Sequence, residues 1–68
     1  MQTSVAAADL LKLIYEAEEA YDKKRGSALA QRMRVRAMKN FALDCRKRSP
    51  NTKITISLED HLLLTDLP

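Results

Sequence analysis

One cysteine, one histidine, one glycine and no tryptophan stand among the 68 residues, and aromatic side chains make up only 4% of them. Each scarcity removes a class of chemistry. A single thiol, Cys45, and a single imidazole, His61, supply neither a disulfide nor a Cys/His zinc site within one chain. Gly26 is the only glycine, so no glycine-rich phosphate loop is present. No apolar run approaches the roughly 18 residues of a membrane span. The first residues, Met1-Gln2-Thr3-Ser4-Val5-Ala6, lack the basic segment and long apolar stretch of a secretory signal. With a lone thiol suited to a reducing compartment, these features predict a soluble cytoplasmic protein.

The size carries its own consequence. A domain of about 60 residues buries only about 60% of the surface that its unfolded chain exposes, which leaves it marginally stable. Disulfides, metals or oligomerisation usually reinforce such chains. The first two are excluded within one chain, and 46% apolar residues can feed a core shared between subunits. Oligomerisation is the remedy left.

What is present divides into three segments of a single domain spanning residues 1–68. Thr3 or Ser4 is suited to cap a first helix over about residues 4–25, which Gly26 ends as its left-handed C-terminal residue. Ser27 then caps a second helix over about 28–48, stopped by Ser49-Pro50-Asn51. In Lys53-Ile54-Thr55-Ile56-Ser57-Leu58, polar and apolar residues alternate with β-branching, which predicts a short strand over about 53–58. Ser57 and Asp60 have the spacing of a capping box, so the turn and tail of residues 59–68 open with one helical turn over Glu59 to Leu64. A hairpin turning at Glu59-Asp60 is the alternative, but it lacks the Gly or Asn that such turns favour. The expected fold is therefore mainly α: an antiparallel helical hairpin plus a short C-terminal β-strand, dimerising into a four-helix core.

At about 100° per residue, Leu10, Ile14, Ala17 and Tyr21 form the centre of an apolar arc on the first helix, widened by Ala6, Ala7, Leu11 and Leu13. That arc covers close to half the circumference, more than the roughly 100° that one partner helix needs. Part of it therefore calls for a second chain. The second helix is expected to turn inward Ala30, Met33, Ala37, Met38, Phe41 and Cys45. Folding about Gly26 then brings Leu11 near Phe41, Tyr15 near Ala37, Ala7 near Cys45, and Glu18 opposite Arg34. Glu18 and Arg34 intrude on their apolar arcs, and a charge drawn toward a core needs a partner, so the two are expected to pair. Asp44 sits at the edge of its arc with no basic residue facing it, and remains open between solvent and a dimer interface.

Charge is unevenly divided. Residues 1–26 hold four basic and five acidic residues, residues 27–49 seven and one, and residues 50–68 one and three. The overall +3 thus conceals a second helix at +6 between segments at −1 and −2. On a helical projection Arg32, Arg36, Lys39 and Lys47 cluster on one side, with Arg46 just outside. These five residues form the candidate partner-binding face. Such a face takes an acidic protein surface or nucleic-acid phosphate. Its bland alternative is a solvated face whose long side chains cover apolar surface. Against nucleic acid stand the absence of aromatic residues among the basic ones and a turn too abrupt for a helix-turn-helix. In its favour, a two-fold dimer presents two copies of the face.

The C-terminal segment offers a second surface. An exposed edge of Lys53 to Leu58 would pair with a twin chain or add to a partner's sheet. The run Leu62-Leu63-Leu64 and Leu67 either serves a partner or closes the end of the helices, and in a small chain such runs are usually core. Enzyme chemistry is not expected: His61 has no visible nucleophile or metal partner, and Cys45 falls on the inward side. Glu16, Glu18, Glu19 and Asp22 gather carboxylates, but Lys12, Lys23 and Lys24 lie close and no loop oxygens complete a cation site. No metal and no cofactor are expected. In its length, lack of catalytic residues and mixture of hairpin and strand, the chain resembles the small accessory proteins that temperate phages and other mobile elements encode to bind and redirect host proteins. The expected function is non-catalytic: a homodimer that binds a protein partner and inhibits or recruits it, with nucleic-acid binding by the basic face as the alternative.

Overall fold

A computed structural model describes residues 2–24 and 29–67. The element order is β1 (Gln2–Ala6), α1 (Ala7–Lys23), α2 (Leu29–Arg48), β2 (Lys53–Ser57) and α3 (Leu58–Thr65). The structure is mainly helical, with one two-stranded antiparallel sheet. Arg25, Gly26 and Ser27, to which the sequence assigns the end of the first helix and the turn, lie outside the described residues.

The N-terminal segment differs from its expectation. Residues 4–6 belong to β1 rather than to the first helix, and neither Thr3 nor Ser4 caps it. β1 pairs with β2 in the register Thr3↔Ile56, Ser4↔Thr55, Val5↔Ile54. Thr3, Val5, Ile54 and Ile56 consequently share the inner face, while Ser4 and Thr55 meet outside, their hydroxyls 3.3 Å apart. Helix α1 starts after Ala6, which has extended backbone and no capping side chain. The first N–H groups of a helix still need acceptors. Here the loop before β2 supplies them: Ala7 N–H donates to the Thr52 carbonyl at 2.8 Å and Ala8 N–H to that of Pro50 at 3.1 Å.

The Ala7-to-Thr52 bond continues the β1-β2 register by one step, which fixes the direction of every other backbone group on β2. Ile54 and Ile56 bond to β1, and alternation turns the N–H and C=O of Lys53, Thr55 and Ser57 away from it. Among the described residues no strand lies on that outer side.

α1 is the hub. It packs against both strands and both other helices, whereas α2 packs chiefly on α1, touches α3, and scarcely meets the sheet. Leu10, Leu11, Ile14 and Ala17 of α1 are buried, as is Tyr21, whose hydroxyl donates to the Leu63 carbonyl at 2.9 Å and ties α1 to α3. α3 is a helix of eight residues, longer than one turn, and its start carries the expected cap: Asp60 N–H donates to Ser57 Oγ at 3.2 Å. There is no hairpin at Glu59-Asp60. Of the C-terminal leucines, Leu64 is buried, Leu63 and Leu67 are partly buried against the core, and Leu62 is exposed.

The inward face of α2 is turned from its expected position. The buried residues are Val35, Met38, Ala42 and Cys45, whereas Ala30, Met33, Ala37 and Phe41 remain exposed, Met33 and Phe41 by 53% and 52%. The centre of the buried face has moved by about 90° around the helix. Arg34 explains the displacement. It lies between Phe41 and Cys45 on the projection, so burying the face centred near Phe41 would have dragged a guanidinium into the core. In the observed orientation Arg34 sits at the edge and reaches a carboxylate. Met33, Ala37 and Phe41 are thus absent from the core of the single chain.

Candidate interaction surface

The charges of α2 are partitioned by what lies on either side of it. Towards α1, Lys39 Nζ is 2.8 Å from Glu18 Oε2, and Arg32 is 3.1 Å from Asp22. Towards α3, Arg34 makes a two-pronged contact with Asp60, Nε donating to one carboxylate oxygen at 2.9 Å and Nη2 to the other at 2.8 Å. The expected Glu18–Arg34 pair does not form, because each finds a different partner. Glu18 lies closer to Lys39 along the α1–α2 interface, and α3, absent from a two-helix picture, presents Asp60 to Arg34.

The Arg34–Asp60 contact is the best-formed polar feature of the surface. Parallel N–H···O bonds between a guanidinium and a carboxylate fix orientation as well as distance. The Arg34 hydrogen bond holds the Asp60 carboxyl below the usual carboxylate range, helped by the Ser57 hydroxyl and opposed by partial burial. The same bond raises the Arg34 guanidinium above its ordinary value. The contact joins the second turn of α2 to the first turn of α3.

Of the five basic residues proposed from sequence, the fold leaves three in solvent without an ion pair among the described residues. These are Arg36, Arg46 and Lys47, whereas Arg32 and Lys39 are engaged by α1. The basic face is therefore narrower than the sequence suggests. Asp44 is exposed and Cys45 is buried as a free thiol. His61 Nδ1 is buried without a hydrogen-bond partner, and no cluster of metal-binding side chains occurs among the described residues.

Comparison with protein families, with curated proteins and with solved structures found no match. Function must be read from the surface itself.

A second surface faces the other way. Met33, Ala37 and Phe41 follow one another at four-residue spacing, and along this row the surface turns away from the basic residues, from about 60° between Met33 and Arg36 to about 140° between Phe41 and Arg36. Ala37 and Phe41 overhang a groove of about 340 Å³ between α2 and β2, whose lining includes Met38, Cys45, Ile54 and Ile56, with Arg34 and Asp60 also contributing, whereas Met33 lines a separate hollow beside Arg32 and Arg36. The groove exists because α2 is held by α1 and α3 while barely touching the sheet. Its floor continues into the outward backbone groups of β2. Sequence alone pointed to the strand but not to its open side, which depends on β1 occupying the other edge. The one available signal was the isolated Arg34 in an apolar arc, a charge that required a partner from outside the hairpin. No helix of the described chain is long and apolar enough to cross a membrane.

Proposed function

We propose that this chain is a non-catalytic interaction protein that acts as a homodimer and binds an acidic surface on a protein partner, inhibiting or recruiting it. The observation that carries the reading is the separation of two unlike surfaces on α2. One side exposes Arg36, Arg46 and Lys47 without an ion pair among the described residues, and the other exposes Ala37 and Phe41, with Met33 at the border between them. A monomer gains nothing from an apolar row in water, whereas a second copy covering it leaves both basic faces outward. The dimer brings four long helices into one assembly. Stoichiometric binding of this kind fits the accessory-protein type to which the chain's size and composition correspond.

The test is capture of partners from a lysate by the wild-type protein and by an Arg36→Glu/Arg46→Glu/Lys47→Glu variant whose circular dichroism matches it. Loss of one or more proteins from the captured set supports the reading, and an unchanged set refutes the basic face as the binding surface. Nucleic acid is the second reading, favoured by the two outward basic faces of a two-fold dimer. It requires binding to random duplex DNA that weakens by about 10³ between 50 and 200 mM salt, as about six phosphate contacts impose. Phe41 lies on the far side of α2 from the basic residues and offers them no stacking platform.

A further inference from the structure

We propose that the groove between α2 and β2 is filled by β2 of a second copy, so that two chains join edge to edge into one four-stranded antiparallel sheet. This rests on the dimer proposed above and specifies how it is built. The occupant must be extended, because the outer side of β2 presents the N–H and C=O groups of Lys53, Thr55 and Ser57 as an unpaired ladder among the described residues. It must also bring apolar side chains at alternate positions beneath Ala37 and Phe41, where the groove is lined by Met38, Ile54 and Ile56.

β2 itself meets both conditions in one register. An antiparallel copy related by a two-fold axis through Thr55 sets Lys53 opposite Ser57 of the partner, and Thr55 opposite its twin. Every outward backbone group then meets its counterpart, since the outward groups belong to alternate residues and the axis passes through one of them. In the same register Ile54 lies across from the partner's Ile56. The inner face of the sheet becomes a continuous row of isoleucines, carried under the exposed part of α2.

Charge agrees with the register. Lys53 is exposed and forms no ion pair among the described residues. Opposite the partner's Ser57, which caps the partner's α3, it faces the first turn of that helix, where the exposed Glu59 offers a carboxylate to a long side chain. The arrangement is reciprocal, giving two Lys53–Glu59 contacts per dimer.

Surface area also points to a partner. The chain exposes 4802 Å², against about 4,300 Å² expected for a folded monomer of 7.7 kDa. A standard interface takes about 800 Å² from each partner, about a sixth of this surface.

Two variants test the register by sedimentation, with circular dichroism to establish that each remains folded. Thr55→Pro removes an N–H that points away from β1 and leaves the internal ladder intact. Wild type is expected to be dimeric at about 10 μM, and Thr55→Pro to raise the dissociation constant by at least about tenfold. The second arm uses Lys53→Glu and Glu59→Lys. Each alone places like charges across the axis and is expected to be about tenfold weaker as a dimer, while an equimolar mixture restores both contacts and recovers wild-type affinity. Recovery on mixing cannot arise from altered folding of either chain. A wild-type protein that remains monomeric to about 100 μM overturns the dimer and the register together. A dimer indifferent to Thr55→Pro, or a mixture that gains nothing over the single variants, overturns the register and leaves a dimer built on another face.

Discussion

Leu62 and Leu64 stand two positions apart in α3, and truncating each to alanine measures how this short helix is oriented. Leu64 is 2% exposed and Leu62 is 47% exposed. Leu→Ala removes about three methylene equivalents, worth about 2.4 kcal/mol at full burial at ~0.8 kcal/mol each. At Leu64 the cavity left behind raises the expected cost to about 3–4 kcal/mol. At Leu62 roughly half of the transfer term applies and solvent fills the space, so the cost is about 1 kcal/mol or less. A chain of this size has a total stability of about 3–10 kcal/mol, which makes the first change severe and the second mild. With about 4–8 °C of melting temperature per kcal/mol, Leu64→Ala is expected to lower the midpoint by at least about 12 °C, and Leu62→Ala by less than about 8 °C. Thermal unfolding followed by circular dichroism, repeated at two protein concentrations to separate association from folding, reads both. Equal shifts for the two variants would refute the orientation of α3, and with it the placement of the Ser57 cap and of Asp60.

Three further outcomes follow from other contacts. Tyr21→Phe removes the hydroxyl that donates to the Leu63 carbonyl at 2.9 Å, and is expected to cost about 1 kcal/mol in urea unfolding. A change no larger than that of Tyr15→Phe, at an exposed position, would mean that Tyr21 does not tie α1 to α3. Asp60 has a folded-state pKa below its unfolded value, because Arg34 and Ser57 hydrogen-bond the carboxylate. Its contribution is therefore complete above the unfolded pKa of about 3.9 and is lost as pH falls through the lower folded value. Melting temperature should decline below about pH 4 more steeply in wild type than in Asp60→Asn, and salt should shrink the difference because Arg34 is largely exposed. Identical acid profiles would contradict the contact. Finally, proline scanning separates β1 from a helical start. Val5 directs its N–H to β2, so Val5→Pro should cost about 1–3 kcal/mol, whereas Ser4→Pro, whose N–H points outward, should be tolerated. A helix beginning near Ser4 would accept both.

The residues of α2 show how far local pattern reaches. The sequence marks a helix over 28–48 and the structure has one at Leu29–Arg48, but the arc chosen from hydrophobicity alone contained Arg34 and faced the wrong way. Phe41 and Met33 weigh heavily in any apolar count. Their weight could not reveal that the helix would turn to spare Arg34 and let Lys39 and Arg32 reach α1. The basic face shows the same limit: clustering on one helix was legible, but loss of two of its five members to Glu18 and Asp22 depended on a neighbouring element.

By itself, the sequence determined two long helices, a strand after Pro50, a Ser57-capped helical start and a basic middle segment, because periodicity, capping and charge are read within a few residues. Tertiary structure alone decided that Gln2–Ala6 is a strand, since five residues with weak alternation become one only when β2 offers them an edge. It also decided that α1 is capped by carbonyls of the loop before β2 in place of a side chain, and that Arg34 meets Asp60, 26 positions away. Such choices are made between segments far apart in the chain, where the partner is set by how the elements pack.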